Sequence, residues 1–583
     1  MHFVDKSLSA SEYWRTTEKA RFASHHEAHT IHTQDFADAR EAVELEMKAV
    51  KLMMSSIHTH YNTFSLINRL PPELLTLIFS FVRDCFLHRS RPVPHLQSHT
   101  DPLLAIEWVK VTHVCRQWRT VALENPDLWS HIILGSDWTA ENFRRSQRVP
   151  LTIDHSFPSD VERERYGNGM YAYNEDMGNL RQEIAHHRSH LRQLTLSGNS
   201  IDFWRILGSL RGPAPLLERL DLRNTGYSED DVPRFPECLN TFAPHLRFLR
   251  LAGWEASWVG LTFKTLVHLE VEALVVPDAM AGDLGDFLGA LEKMPCLEVL
   301  KLYTVLQSPP STVTPDSVLG PIVTLPRLRK FTLSDGTSKC GLALKHISTP
   351  VTTEHHITCR ITNDYEFLLP WLSVKLNVSD VISQLSITDH GDCRYARISI
   401  SVWAGGHSII PGSASGEERK QLFCLTLAPY PSSLSLSQTK IICDALPLAS
   451  VEELHMSYGM FDRDSTNWLA IFSGNKSVRR AKISFTRIVS FTRIAADLNT
   501  LLMAAQPWQE GQTQPIFPSL ESLTLAHVRF EHDWSIGGPQ LLQWLGMWGP
   551  LTKLVLEECS IKDAMLSELR TRVPEVVMKD RSV

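Results

Sequence analysis

The chain has 583 residues, 43% of them hydrophobic and 21% charged, with a formal net charge of −7. That length exceeds what one hydrophobic core organises, so several domains or a repeat array are expected. The composition is that of a folded chain, and the thin negative charge argues against a nucleic-acid partner, which calls for clustered Lys and Arg.

The N-terminal stretch MHFVDKSLSASEYWRTTEKARF has no apolar core region and no small-residue cleavage site, so no signal peptide is expected. From Asp38 to His60 the sequence lacks Pro and Gly and favours helix formers. Val43, Met47, Val50 and Met54 recur every three or four residues and mark one apolar stripe. The stripe reads as packing on the following domain, with a short coiled coil of two to three heptads as the alternative. Residues 1–64 are assigned to this N-terminal helical segment.

The next segment reads INRLPPELLTLIFSFVRD and, after a loop, WVKVTHVCRQWRTVALENPDLWSHI. Pro71 and Pro72 sit where a first helical turn tolerates a missing N–H, and Glu73 favours the positive end of the dipole. Leu74, Leu75, Ile78, Phe79 and Val82 give that helix a wide apolar face. A second helix is expected from Val109 to Ala122, with Val111, Val114, Cys115 and Trp118 on one side, then a turn at Asn125-Pro126-Asp127 and the pair Leu128-Trp129. A unit of this size carries more apolar material than it can bury alone, which marks a docking or partner-binding face.

These residues resemble the F-box. The matching elements are the Leu70-Pro71 start, the apolar helix Leu74 to Phe79, the run Val114-Cys115-x-x-Trp118, and Leu128-Trp129, over residues 65–133. The Pro- and His-rich loop Leu87 to Leu103 is longer than the family's usual connection. The resemblance implies binding to the Skp-type adaptor of a cullin–RING ubiquitin ligase. The residues it implies for that contact are Leu70, Pro71, Leu74, Ile78, Val114, Cys115, Trp118 and Trp129.

Beyond Leu134 a frame L-x-x-L-x-L recurs. It reads Leu191-Leu194-Leu196, Leu217-Leu220-Leu222, Leu246-Leu249-Leu251, Leu266-Leu269-Val271, Leu297-Leu300-Leu302 and Leu328-Phe331-Leu333. It returns as Val451-Leu454-Met456, Val478-Ala481-Ile483, Leu520-Leu523-Leu525 and Leu551-Leu554-Leu556. The first six frames start 26, 29, 20, 31 and 31 residues apart, scattered about the period of leucine-rich repeats. Asn is missing from most frames, Asn199 and Asn224 excepted, so the repeats are degenerate. One such repeat cannot cover its own apolar face, so a curved solenoid, a horseshoe, is expected over residues 181–583.

Residues 134–180, with WTAENFRRSQRVPLTIDHS, read as linker and N-terminal cap. Helix-like runs at Gly285 to Met294 and Pro539 to Trp548 are expected on the convex side. Residues 350–449 fit poorly: Ile382-Leu385-Ile387 and Leu422-Leu425-Leu427 match the frame, but Cys393 to Trp403 alternates like an extra strand, so an inserted or distorted region is expected. The fold class is therefore α/β: an N-terminal helix, a small helical module and a repeat solenoid.

If the frames are strands, their outward neighbours include Asp221, Arg223, Arg250, Glu270, Glu272, Lys301, Tyr303 and His455. Their mixed signs suit a protein target more than a polyanion. Thr195, Ser197, Thr332, Ser334, Ser457, Lys482, Thr524 and Glu557 continue the row.

Catalytic signatures are absent from the sequence. Neither phosphate-binding glycine motif occurs, and Gly412 to Gly416 imitates a hydrolase elbow with Ala414 where a nucleophile belongs. His25, His26, His29 and His32 lack Cys or acidic co-ligands; His186, His187 and His190 read as a polar helix face, and His355-His356 as strand or loop. Ten cysteines without a C-x-x-C pair suit reduced thiols, and no apolar run reaches the roughly 18 residues of a membrane span. The chain is expected to be an intracellular, cytoplasmic or nuclear, non-catalytic adaptor without cofactor or metal, holding a protein target for ubiquitin tagging. The alternative is a scaffold that uses the same surfaces outside any ligase.

Overall fold

The computed structural model divides the chain after Val149 into two units, Met1–Val149 and Pro150–Val583. It describes residues 9–22, 33–89, 105–134, 138–157, 181–199, 203, 212–226, 232–233, 235, 239–261, 263–273, 280–317, 320–360, 364–377, 382–389, 398–404, 421–428, 442, 444–446, 448–458, 475–490, 517–530, 545 and 551–579. The expected features at His25 to His32, 90–104, 158–180, 412–416 and most of 539–548 lie outside the described residues.

The first unit is helical. It contains α1 (Ala10–Phe22), α2 (Thr33–Thr63), a 3-10 turn at Leu66–Arg69, α3 (Pro72–Arg89) and a 3-10 segment at Glu107–His113. After these come α4 (Arg116–Glu124), a 3-10 turn at Pro126–Trp129 and α5 (Thr139–Ser146). Pro72 starts α3, where its missing N–H leaves no helical bond unmade, and the carbonyl of Pro71 accepts from the N–H groups of Leu74 and Leu75. The continuous helix expected over Val109 to Ala122 is broken instead: Cys115 is extended, at φ −157° and ψ 172°, and α4 begins after it. Val109, Val111, Thr112 and Val114 lie in or beside the 3-10 segment before the break, and β-branched side chains lower α-helix propensity slightly. The core gathers Leu75, Phe79, Trp108, Val109, Ala122, Leu128 and Trp129. The Trp108 and Trp129 rings meet edge to face with centroids 5.0 Å apart, and the indole N–H of Trp129 donates to the carbonyl of Ala122 at 2.8 Å.

The second unit is α/β, a large mixed sheet with helices. Its strands begin with β1 (Leu151–Ser156), β2 (Leu191–Gly198), β3 (Arg219–Asn224), β4 (Phe248–Ala252), β5 (His268–Glu272), β6 (Val299–Tyr303), β7 (Lys330–Gly336) and β8 (Glu354–Arg360). Each pairs in parallel with the next. The leucine frames set the register: Leu220 stands opposite Leu249, Leu249 opposite Leu269, Leu269 opposite Leu300, and Leu300 opposite Phe331. All five are fully buried. Truncating one of them to Ala leaves a cavity worth about 2–5 kcal/mol.

A short turn precedes the frames. The N–H groups of Leu217, Leu246, Leu266, Leu297, Leu328 and Leu520 donate to the carbonyl three residues back at 3.1–3.3 Å. Five of these turns hold a proline as their second residue (Pro215, Pro244, Pro295, Pro326 and Pro518), which presets φ and gives up no needed donor. Hydroxyls then stitch repeat to repeat: Thr265 donates to the carbonyl of Leu246 at 2.9 Å and Thr353 to that of Leu328 at 2.7 Å.

The region expected to be distorted carries the sheet through without a gap. Here lie β9 (Ile382–Asp389), β10 (Ile398–Ala404) and β11 (Gln421–Ala428), then β12 (Glu453–Tyr458), β13 (Arg480–Ser490), β14 (Ser522–Arg529), β15 (Lys553–Glu557) and β16 (Glu575–Lys579). The spatial order is β8-β11-β10-β9-β12, with β10 antiparallel to both neighbours and β12 to β16 parallel again. The extra alternating strand is β10, and it turns β9 to β11 into a reversed meander, which antiparallel strands form without a helical crossover.

Helices lie between several strands: α6 (Leu284–Glu292), α7 (Thr337–Lys345), α8 (Leu369–Asn377) and α9 (Asp563–Arg572). Asp283 and Asp286 close a reciprocal capping box on α6, which buries Phe287, Leu288 and Leu291. α7 packs on β7 and β8.

One repeat escaped the leucine pattern. In β8, His355 takes the slot opposite Phe331 on one side and Phe423 on the other. It is buried, with Nδ1 against the Thr353 carbonyl at 2.9 Å and Nε2 against the Thr349 hydroxyl at 3.2 Å. Burial, reinforced by Lys375, lowers its pKa to about 3. The folded chain therefore holds a neutral imidazole that the unfolded chain protonates below the ordinary value near 6.5. Stability is complete above that value and falls as pH drops towards 3, by on the order of a kcal/mol per pH unit. Thermal unfolding at pH 7 and pH 5 checks this, and His355→Leu is expected to flatten the difference.

Candidate functional site

The first candidate face belongs to α3, which is apolar on two sides. Leu75 and Phe79, four residues apart, are fully buried, and Ile78, Val82 and Phe86 pack against the same core. Leu74, Leu77 and Phe81, at i, i+3 and i+7, form a second stripe that is 46%, 52% and 63% exposed. Val114, in the link that breaks the expected helix, is 57% exposed, and Ile67 is exposed as well. An apolar stripe of this kind loses free energy in water and regains it when another surface covers it.

The residues singled out from the sequence divide between the two sides. Leu74, Val114 and Pro71 are exposed, whereas Leu70, Ile78, Cys115 and Trp118 are half-buried. Trp129 is corrected: at 1% exposure it has no surface to give a partner and serves the core, its indole N–H held by Ala122. Leu77 and Phe81 were missed, although their spacing from Leu74 was readable.

Asn68 was missed too, and nothing in a hydrophobic pattern points to it. Its Oδ1 accepts from the Trp118 indole N–H at 2.8 Å and lies 3.9 Å from the Cys115 thiol, while its Nδ2 donates to the carbonyl of Asn62 at 2.8 Å. One amide thus ties the end of α2 to the Val-Cys-x-x-Trp run. The Trp118 ring also lies 5.0 Å from that of Phe79, which joins this polar tie to the core.

The second candidate face is the polar side of the β3–β6 sheet. Asp221, Arg250, Glu270 and Lys301 stand directly opposite one another on successive strands, with alternating sign. Parallel strands lie about 4.8 Å apart, so side chains this long reach across. Arg223 grips Asp221 with two bonds of 2.9 and 2.8 Å, and Arg219 approaches it at 3.6 Å. Glu270 meets Lys301 at 3.0 Å, Arg250 at 3.2 Å and His268 at 3.3 Å, and Arg250 also reaches Glu272 at 3.7 Å. Burial pushes the Glu270 carboxyl up, but hydrogen bonds from His268 and Lys301 and the charges of Arg250 and Lys301 outweigh it and bring it to about 2. Burial raises the Tyr303 phenol, helped by Glu270 and Glu272.

This corrects the expectation of an open row. Asp221, at 1% exposure, and Glu270 are buried beneath basic neighbours, because opposite charges in equal register draw together. Arg219, Arg223, Arg250 and Lys301 form the upper layer, with the Arg219 guanidinium 3.4 Å over the Phe248 ring. His455 is not part of this group: β12 stands six strands from β6, roughly 29 Å by strand spacing. Its ring lies 3.2 Å from the Ser386 hydroxyl and 3.1 Å from that of Ser484, linking β9, β12 and β13.

Among the described residues no cluster of three or more His, Cys, Asp or Glu is placed to hold a metal ion. None of the described helices is long and apolar enough to cross a membrane. Compared with known families, residues 67–135 match the F-box-like model. No curated protein matches the chain.

The two sides of α3 should respond differently to substitution. Phe79→Ala is expected to cost about 3–5 kcal/mol in chemical denaturation. Phe81→Asp is expected to change stability by no more than about 0.5 kcal/mol. For Glu270 the depressed pKa contributes stability that is present above the ordinary carboxylate value near 4.5 and is lost as pH falls through about 2. Acid titration of Glu270→Gln against the parent chain measures that contribution.

Proposed function

We propose that this chain is the target-recognition adaptor of a cullin–RING ubiquitin ligase. Its F-box-like module holds a Skp-type adaptor, and through it the cullin and RING subunits. Its second unit is a degenerate leucine-rich-repeat horseshoe that holds a protein target. The observation that carries the reading is the exposed stripe Leu74, Leu77 and Phe81, with Val114, inside the residues matched by the F-box-like model. A partner that covers this stripe completes a module too small to bury its own apolar residues.

The repeat reading rests on other features. The recurring frames fall on strands in equal register, and Leu217, Leu246, Leu266, Leu297, Leu328 and Leu520 each follow the same tight turn. Asn224 also uses its side chain to reach the next repeat, donating to the Gly253 carbonyl at 3.1 Å. For the target, the charged layer of Arg219, Arg223, Arg250 and Lys301 on the polar side of β3–β6 gives direction and charge complementarity. Arg223, Glu272, Lys301 and Tyr303 remain accessible there, while Asp221 and Glu270 hold the basic groups in place.

The chain performs no bond chemistry in this reading. It works by proximity: two binding surfaces on one polypeptide raise the effective concentration of the target beside the charged enzyme. The site of action is cytoplasmic or nuclear.

Purified chain mixed with a Skp-type adaptor should form a complex. Leu74→Asp and Phe81→Asp should each weaken it by about 2 kcal/mol or more, roughly 30-fold, without lowering the unfolding temperature. Trp118→Ala should weaken it too, through loss of the Asn68 tie. Unchanged adaptor binding by both Asp variants would overturn the reading, and failure of cullin to co-purify with the complex would remove the ligase from it.

A further inference from the structure

The long helix α2 carries a pattern that the proposed function does not use. Val43, Met47, Val50, Met54, Ile57 and Tyr61 are spaced 4, 3, 4, 3 and 4 residues apart, the alternation of a heptad with Met47, Met54 and Tyr61 at a and Val43, Val50 and Ile57 at d. The chain's own surface does not cover them: they are 37–75% exposed. Among the described residues, contacts of α2 with its own chain include Arg21 with Glu46 at 2.6 Å, Arg116 with the Ser55 hydroxyl at 3.1 Å and Asn68 with the Asn62 carbonyl at 2.8 Å, all beside the seam positions. The seam runs 19 residues, about 28 Å along the axis, and stays on one side of the helix throughout.

We propose that this seam pairs with the same seam of a second copy, forming a parallel two-stranded coiled coil. The charges beside the seam choose both the partner and the direction. Glu46 falls at g and Lys51 at the following e, the two positions that meet between parallel helices, so a symmetric pair gains two Glu–Lys contacts. An antiparallel pair with the same layers in contact sets Lys51 against Lys51 of the second copy instead. Glu46 already bonds Arg21 within its own chain, which leaves its second carboxylate oxygen for the partner's lysine. Leu45 and Leu52 are also exposed but fall at f, on the far side of the helix, and take no part.

That contrast supplies the test. The full chain of 66.1 kDa should run at twice that mass by light scattering at high micromolar concentration and dissociate on dilution. Val50→Glu combined with Ile57→Glu should raise the dissociation constant tenfold or more. Because both positions are solvent-exposed, the helical circular dichroism should hold. Leu45→Glu combined with Leu52→Glu removes as much apolar surface from the wrong side and should leave the dimer intact. A monomeric parent chain, a dimer that survives the seam variant, or a dimer lost only in the Leu45/Leu52 variant would each overturn the proposal.

Discussion

The second unit depends on one constraint: apolar side chains of neighbouring strands must stand at the same register. Leu220, Leu249, Leu269, Leu300 and Phe331 meet that condition in a row, and each is fully buried because its neighbours are. The tight turns before the leucines and the threonine bonds between repeats follow from it, since they place each strand at the level where its leucine meets the last one. The charge ladder follows as well. Once the leucines are level, the residues between them are level too, and Asp221, Arg250, Glu270 and Lys301 come face to face.

The helical module works on the opposite principle, an excess of apolar surface that is not cancelled internally. α3 spends Leu75 and Phe79 on its own core and leaves Leu74, Leu77 and Phe81 outside. Asn68 matters here because the exposed side needs a fixed backdrop: it bonds Trp118 and the end of α2 together, and the Trp118 ring in turn packs on Phe79 of the helix that carries the stripe.

Where the sequence was legible, a period set by geometry lay behind it. The L-x-x-L-x-L frames, the helix over Asp38 to His60 and the apolar character of α3 all repeat at the spacing of the structure that uses them. What stayed hidden was decided by long-range partners. The frames said that Asp221 and Glu270 point away from the leucines, but not that Arg223 and Lys301 would cover them. Trp129 is placed at the interface by the Leu-Trp element of the F-box resemblance; its packing on Trp108, more than twenty residues earlier, decides otherwise. His355 broke the leucine pattern with a polar residue, and only the carbonyl and hydroxyl that receive its ring explain why it can sit there.

The reversed meander of β9, β10 and β11 changes how the array is able to assemble. In a simple stack each new strand finds a vacant edge left by the strand made just before it. Here the edge of β8 is filled by β11, so β9 and β10 must wait for a later part of the chain before they join the body of the sheet. The ladder continues past β8 only through β11, the last of the three strands in sequence. Because both outer members of that block run the same way as the array, β8 and β12 still point alike across it, and the block sits between two stretches of parallel ladder without reversing either.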